Sequence, residues 1–273
     1  MFIEVLTGLE RRFEDEVRKL DPFDACVWLG RPFRSRRVFE NVAALREGLA
    51  KGPVRRALIS HTMGELHDAR QGNDTLAKAL EEFPGAYGVM TLLPPSWEDP
   101  EDTGAYIDRN LRRGLRMARI FPKSHRYTLC IPSVRVLLSA LEEKGVPLVI
   151  QIGQTEWDEI GALAQAHPRL PILVESHGHH EYLNMRHALP WLESSANLYV
   201  PTNRQFLCGG LELLVERLGP GRVIFASNQP LDDPNAGLGP LVFSDLPIAV
   251  RRQVAHGNLE RLLGLAGPGR PAQ

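Results

Sequence analysis

The sequence predicts an α/β fold, a single-domain (β/α)8 TIM barrel, from three observations. Eight short apolar runs follow residue 20, and segments with helical spacing separate them. Several of those segments end at Gly or Pro, which stop helices. No GxGxxG follows an early run, so the signature of a doubly wound dinucleotide-binding sheet is missing.

The predicted strands, in order, are FDACVW (23–28), RRALIS (55–60), AYGVMTL (86–92), LRMARI (115–120), VPLVIQI (146–152), LPILVES (170–176), ANLYVP (196–201) and RVIFAS (222–227). All are rich in β-branched or large apolar residues. Several run apolar without alternation, as parallel strands covered on both faces do. Helical spacing is clearest in DTLAKALEEF (74–83), SVRVLLSALEEKG (133–145), EWDEIGALAQAHP (156–168) and GLELLVERLGPG (210–221). Eight such units in about 250 residues close naturally into a barrel. The barrel is expected to occupy residues 21–265, preceded by a cap segment (1–20) made of a short strand and an amphipathic helix, and followed by a disordered tail (266–273).

Composition narrows the function. The chain has 273 residues and a formal net charge of -1, which argues against a general nucleic-acid binder. No apolar run is long enough to cross a membrane, and the start is too acidic for a signal peptide, so a cytoplasmic protein is expected. Cys26, Cys130 and Cys208 are far apart and odd in number, which indicates neither a disulfide framework nor a zinc finger. Arg outnumbers Lys 27 to five. Compositional bias accounts for such a ratio, and so does a need for planar anion recognition.

Barrel enzymes work at the carboxyl ends of their strands. The residues at or just after those ends include Cys26, Trp28, His61, Arg119, His125, Gln151, His177, Asn203 and Asn228, with His179 and His180 close behind His177. Five of the nine His fall in this set, giving a polar mouth suited to a small molecule. Arg31, Arg34, Arg36 and Arg37 follow the first strand, and Arg119, Lys123, Arg126 and Arg204 share the same predicted face. These cations favour an anionic substrate, with Arg gripping a carboxylate bidentately, although a solvated loop paired with nearby acids is the plain alternative. Glu156, Asp158, Asp232 and Asp233 temper the charge. Glu175 is expected to face away from the mouth.

The segments FDACVWLG, ARIFPKSHRYTL, ALEEKGVPLVIQIG, AHPRLPILVESHG, ANLYV, LGPGRVIFASNQP and HGNLERLLGL occur in an order that resembles the amidohydrolase-related proteins, metal-dependent barrel hydrolases and decarboxylases. The resemblance covers most of residues 20–265 and is most specific in its last part. It implies a barrel acting on small, often carboxylated substrates. It also implies metal ligands where this chain carries Cys26, Trp28, Gln151 and Asn228, so the usual His-x-His, His and Asp are replaced. Only His177 keeps the residue that the resemblance associates with catalysis. Trp cannot ligate, and neutral amides offset no charge, so no metal and no other cofactor is expected at these four positions.

The resulting expectation is a hydrolase of a small carboxylated or lactone-type substrate, with His177 as acid/base and His125 assisting. Arg34, Arg119 and Arg126 position a carboxylate, and Gln151 and Asn228 hydrogen-bond the reacting carbonyl or water. Cys26 reads as an apolar filler or, with a nearby base, a nucleophile; Trp28 fills space or stacks on a planar ligand; His61 and Asn203 complete the pocket. Two alternatives stay open: a non-catalytic barrel binding a small ligand or protein, and a metal-dependent hydrolase or decarboxylase with a relocated site at His125, His177, His179 and His180. The exposed helices of a barrel also leave room for a homodimer.

Overall fold

A computed structural model describes residues 2–32, 37–52, 54–175, 185–203 and 209–265. The chain order is α1 (Phe2–Leu20), β1 (Phe23–Leu29), α2 (Val42–Lys51), β2 (Arg56–His61), α3 (Thr62–Leu66), α4 (Ala69–Glu81), β3 (Ala86–Thr91) and α5 (Thr103–Arg112). It continues through β4 (Leu115–Ile120), α6 (Pro132–Lys144), β5 (Leu148–Gln151), α7 (Trp157–Ala166), β6 (Ile172–Glu175), α8 (Met185–Ser194), β7 (Leu198–Pro201) and α9 (Gly210–Leu218). Last come β8 (Val223–Ile224), α10 (Pro234–Val242), α11 (Ile248–Arg252), a π turn (Gln253–Gly257) and α12 (Asn258–Leu262).

The eight strands pair in parallel, in sequence order from β1 to β8. Closure comes from the chain after β8, where Ala25 N donates to Phe225 O, Asn228 N to Cys26 O and Trp28 N to Gln229 O. The (β/α)8 barrel expected from the sequence is therefore the observed fold. Successive side chains alternate across each strand. One set, including Leu58, Val89, Met117, Val149, Leu173 and Ile224, fills the barrel; the other, including Ile59, Met90, Ala118, Ile150 and Val174, packs under the helices.

Helix starts follow ordinary capping chemistry. Asn41, Asp68, Asp102 and Asp233 each accept a first-turn N–H, which satisfies donors that a helix leaves orphaned. Gly145 ends α6 in the left-handed region. The first segment departs from expectation: Phe2–Leu20 is one helix with no preceding strand. Val17 and Leu20 are buried, and α1 packs beside α10 and α11. Arg251 pairs with Glu16, and Arg252 reaches Lys19 O. Those contacts anchor the second half of the helix, Glu16–Leu20. The proposed tail lies outside the described residues.

Candidate active site

β1 carries one extra residue relative to β2 between Asp24 and Val27. Such a bulge re-aims the side chains beyond it, and here Cys26 and Trp28 both join the cluster inside the barrel. Asp24 pins the bulge to the last strand. Its carboxylate accepts from Cys26 N at 3.0 Å, Ser227 N at 2.8 Å and Gln229 Nε2 at 3.3 Å, and also from Ser227 Oγ. Complete burial nevertheless pushes the Asp24 carboxyl up to about 6, against the pull of those donors.

Asn228 sits just past this seam with φ 64, a left-handed backbone that Asn tolerates better than most residues. Its Oδ1 accepts from Trp28 Nε1 at 3.0 Å and from the Cys26 thiol at 3.6 Å. Its Nδ2 donates to Asp232 Oδ2 at 2.7 Å. Both ends of the amide are thus engaged, with one of the two Nδ2 hydrogens committed to Asp232. Burial, then the charge of Glu175, raises the Cys26 thiol well above its ordinary range. That direction favours the thiol form and the reading of Cys26 as an apolar filler.

Arg119 is enclosed. It is 1% exposed, its two terminal nitrogens donate to the two carboxylate oxygens of Glu175, and its Cζ lies 4.8 Å from the Trp28 ring centroid. Its Nε is buried with no acceptor among the described residues. With its fork committed, Arg119 does not present a bidentate grip to a substrate. Glu175 corrects the expectation that it faces away. It stands two residues after Leu173, which fills the barrel, so both share one face, and Glu175 points inward.

The remaining residues divide between rim and surface. His61 ends β2 and is half-buried; its Nδ1 accepts from Met63 N at 3.1 Å, so it caps α3, and burial pulls its pKa down. Gly30 makes room beside it: with φ +97, a Cβ there would lie 2.3 Å from Thr62 Oγ1 and 3.1 Å from His61 Cε1. Gln151 follows Val149 by two residues on β5 and is half-buried, and none of the described residues hydrogen-bonds its amide. Asn203 is buried just after β7. Arg126 is exposed, with φ 58. His177, His179, His180, Arg34, Arg36 and Arg204 lie outside the described residues.

His125 belongs to a network that the sequence did not announce. Its Nε2 stands 3.1 Å from Glu65 O. A carbonyl only accepts, so Nε2 carries the proton and Nδ1 keeps its lone pair. That Nδ1 is buried without a partner among the described residues. The Glu65 carboxylate accepts from Ser124 Oγ at 2.9 Å and from Gln154 Nε2 at 3.2 Å, while Ser124 N donates to Gln154 Oε1 at 3.0 Å. Loops after β2, β4 and β5 are thereby tied together at the mouth. Glu65, Ser124 and Gln154 match no motif; their nearness to strand ends was the only available signal.

Among the described residues, no group of three or more His, Cys, Asp or Glu side chains is placed to hold a metal ion. None of the helices is long and apolar enough to cross a membrane.

A closed (β/α)8 barrel with imidazole, amide and carboxylate groups around its carboxyl-end mouth has the architecture on which barrel proteins hold small molecules. The sequence pattern of the amidohydrolase family matches residues 30–265, and the chain belongs to that family. No curated protein matches the chain. Among solved structures, a 2,6-dihydroxybenzoate decarboxylase from Rhizobium superposes with a TM-score of 0.69 at 15% identity, covering 90% of this chain and 99% of that one. A candidate 2-pyrone-4,6-dicarboxylic acid hydrolase from Pseudomonas putida gives 0.68 at 16% identity, covering 90% and 98%. A dihydroxybenzoic acid decarboxylase from Polaromonas sp. JS666, with bound manganese and 2-nitroresorcinol, gives 0.69 at 15%, covering 89% and 97%. At such identities the likeness concerns the fold.

Proposed function

We propose that the barrel mouth hydrolyses a small anionic substrate, carboxylated or lactone-type, by His acid–base chemistry without a bound metal. The observation that carries this reading is the His125 imidazole, whose donor to Glu65 O fixes the tautomer and leaves a buried, unpartnered basic Nδ1. In this scheme Nδ1 takes a proton from water as the water oxygen bonds to the substrate carbonyl carbon. The carbon–oxygen bond of the ester or lactone then breaks, and His177 protonates the departing oxygen, so the products together gain one water. The Gln151 amide donates to the carbonyl oxygen. Arg34 and Arg126 hold the carboxylate; Arg119 is released from that role because Glu175 occupies its fork. Solved relatives named for dihydroxybenzoates and a pyrone dicarboxylate favour small anionic aromatic or lactone substrates.

The family implies a divalent ion, and the donor set at the four corresponding positions does not fit one. Trp28 has no lone pair to give, the Asn228 oxygen already accepts from two donors, and a guanidinium stands beside them. No step is therefore assigned to a metal.

The test is a hydrolysis assay on 2-pyrone-4,6-dicarboxylate and simpler carboxylated lactones, with and without EDTA. Turnover that ignores EDTA and is lost in His125→Ala and His177→Ala is the expected result. Turnover that requires added Mn2+ or Zn2+ overturns the metal-free scheme. Release of CO2 from hydroxybenzoates without lactone opening moves the protein to the decarboxylases.

A further inference from the structure

The floor of the barrel mouth is a buried ionic cluster in which polar groups, Arg119 Nε excepted, answer one another. Arg119 and Glu175 are both almost fully buried, paired through two hydrogen bonds of 2.5 and 2.8 Å. The guanidinium lies 4.8 Å from the Trp28 ring centroid and 6.0 Å from that of Phe121. Trp28 Nε1 and the Cys26 thiol converge on Asn228 Oδ1, and the Asn228 amide nitrogen turns to Asp232. Three of the four positions where family resemblance places metal ligands are thus wired to one another, with Arg119 packed against them.

We propose that the Arg119–Glu175 pair is the built-in replacement for the family's divalent cation, so that the mouth excludes divalent ions and substrate binds above this floor, beside Gln151 and His125. The inference deepens the metal-free reading by assigning its cause, and it can fail separately. Three physical points support it. A guanidinium does not shed its charge in a protein, so any divalent ion reaching Glu175 meets a fixed cation next to it. Glu175, a carboxylate that could neutralise such an ion, already spends both oxygens on Arg119. The indole face that carries the guanidinium is the cation-π arrangement that Arg favours. Removing Arg119 frees the Glu175 carboxylate beside the Cys26 thiol, and loss of the thiol proton gives back one of the two sites on Asn228 Oδ1. Those are donors that zinc or cobalt accepts, and ligation deprotonates the thiol.

The test uses the whole chain, purified without chelator, equilibrated with Zn2+, Mn2+ or Co2+ and desalted before elemental analysis. Wild type should retain well under about one ion per chain. Arg119→Met should approach about one Zn2+ per chain and, with Co2+, develop the thiolate-to-cobalt absorption band that reports Cys26 ligation. Arg119→Lys keeps a cation beside Glu175 and should stay metal-free. Should Arg119→Met fail to fold by circular dichroism, the neutral, hydrogen-bonding Arg119→Gln is read in the same way. Near-stoichiometric metal on wild type overturns the proposal, as does a folded Arg119 variant with no charge that takes up no more than wild type. If lactone opening proceeds in EDTA while that variant stays empty, only this inference fails. If no hydrolysis is found but the variant gains metal and the thiolate band, only the functional reading fails.

Discussion

The terminal nitrogens of Arg119 meet the two carboxylate oxygens of Glu175 at 2.5 and 2.8 Å inside the barrel, from strands β4 and β6 that are not neighbours. A pair buried this deeply is expensive to break and nearly neutral to replace. Arg119→Met or Glu175→Leu alone should each cost about 3–5 kcal/mol, because either leaves one charge uncompensated in a dry place. The double change Arg119→Met with Glu175→Leu should lie within about 1–2 kcal/mol of wild type, far below the sum of the singles. Urea unfolding of the four proteins closes the cycle. Additive losses would show that the two groups do not act as a pair.

Asn228 stands between Asp232 and the Trp28 indole donor, and its amide nitrogen holds Asp232 at 2.7 Å. Asn228→Asp restores the residue that the family resemblance implies, yet here it sets a carboxylate against Asp232 while keeping the acceptor for Trp28 Nε1. The expected outcome is a loss of about 1–3 kcal/mol at neutral pH. Like charges at this spacing raise the folded pKa of the pair, so the penalty is present at high pH and shrinks as pH falls and one carboxyl protonates. A variant as stable as wild type at pH 8 would count against the assigned amide orientation.

Asp24 makes stability depend on pH in the unusual direction. Its folded pKa is raised to about 6 from an ordinary 3.8, so the folded state holds this proton more tightly than the unfolded chain does. Stability from this group is fully present below about 4, declines as pH rises to about 6, and is flat above, a change of roughly 3 kcal/mol. Subtracting the urea midpoints of Asp24→Asn from those of wild type across this window isolates the effect. Parallel curves for the two proteins would sink it.

Gly30 is required twice, by its φ of +97 and by the 2.3 Å approach of a would-be Cβ to Thr62 Oγ1. Gly30→Ala should cost at least about 2 kcal/mol, since backbone strain and a steric clash add. Adding Thr62→Ala relieves the clash but not the φ, so it should recover part of the loss. Thermal melts of the single and double variants decide. Full recovery would place the whole cost in the contact, and none would place it in the backbone.

The barrel was legible because its signal is written eight times: each apolar run becomes a strand, and LRMARI matches Leu115–Ile120 at both ends. The start departs from expectation because FIEVL has strand-like residues, yet the helix runs unbroken from Phe2 to Leu20. The site was harder. Cys26, Trp28, Arg119, Gln151 and Asn228 do gather at the strand ends, since end position follows from strand order. What each does depends on partners distant in sequence, such as Glu175 for Arg119 and Asp232 for Asn228. Residue type predicted an open Arg and a free amide; pairing closed both. The bulge at Asp24–Val27, which aims Cys26 and Trp28 inward, has no mark in the sequence.

His125 offers the sharpest functional test, because its two nitrogens have separable tasks. Nε2 binds the Glu65 carbonyl and holds the loop after β4 to α3, whereas Nδ1 has no partner among the described residues. His125→Gln can keep a donor near Glu65 O while supplying no base in place of Nδ1. It should therefore unfold within about 1 kcal/mol of wild type yet lose roughly 10²–10⁴-fold in kcat, the usual worth of a positioned acid or base. KM should move little, since substrate is gripped elsewhere. His125→Ala loses the tether as well, so it should fall in both stability and kcat. Activity retained in the Gln variant would make His125 a strut for the loop and leave the proton transfer to another group. A drop in kcat with unchanged stability separates catalysis from folding at this one side chain.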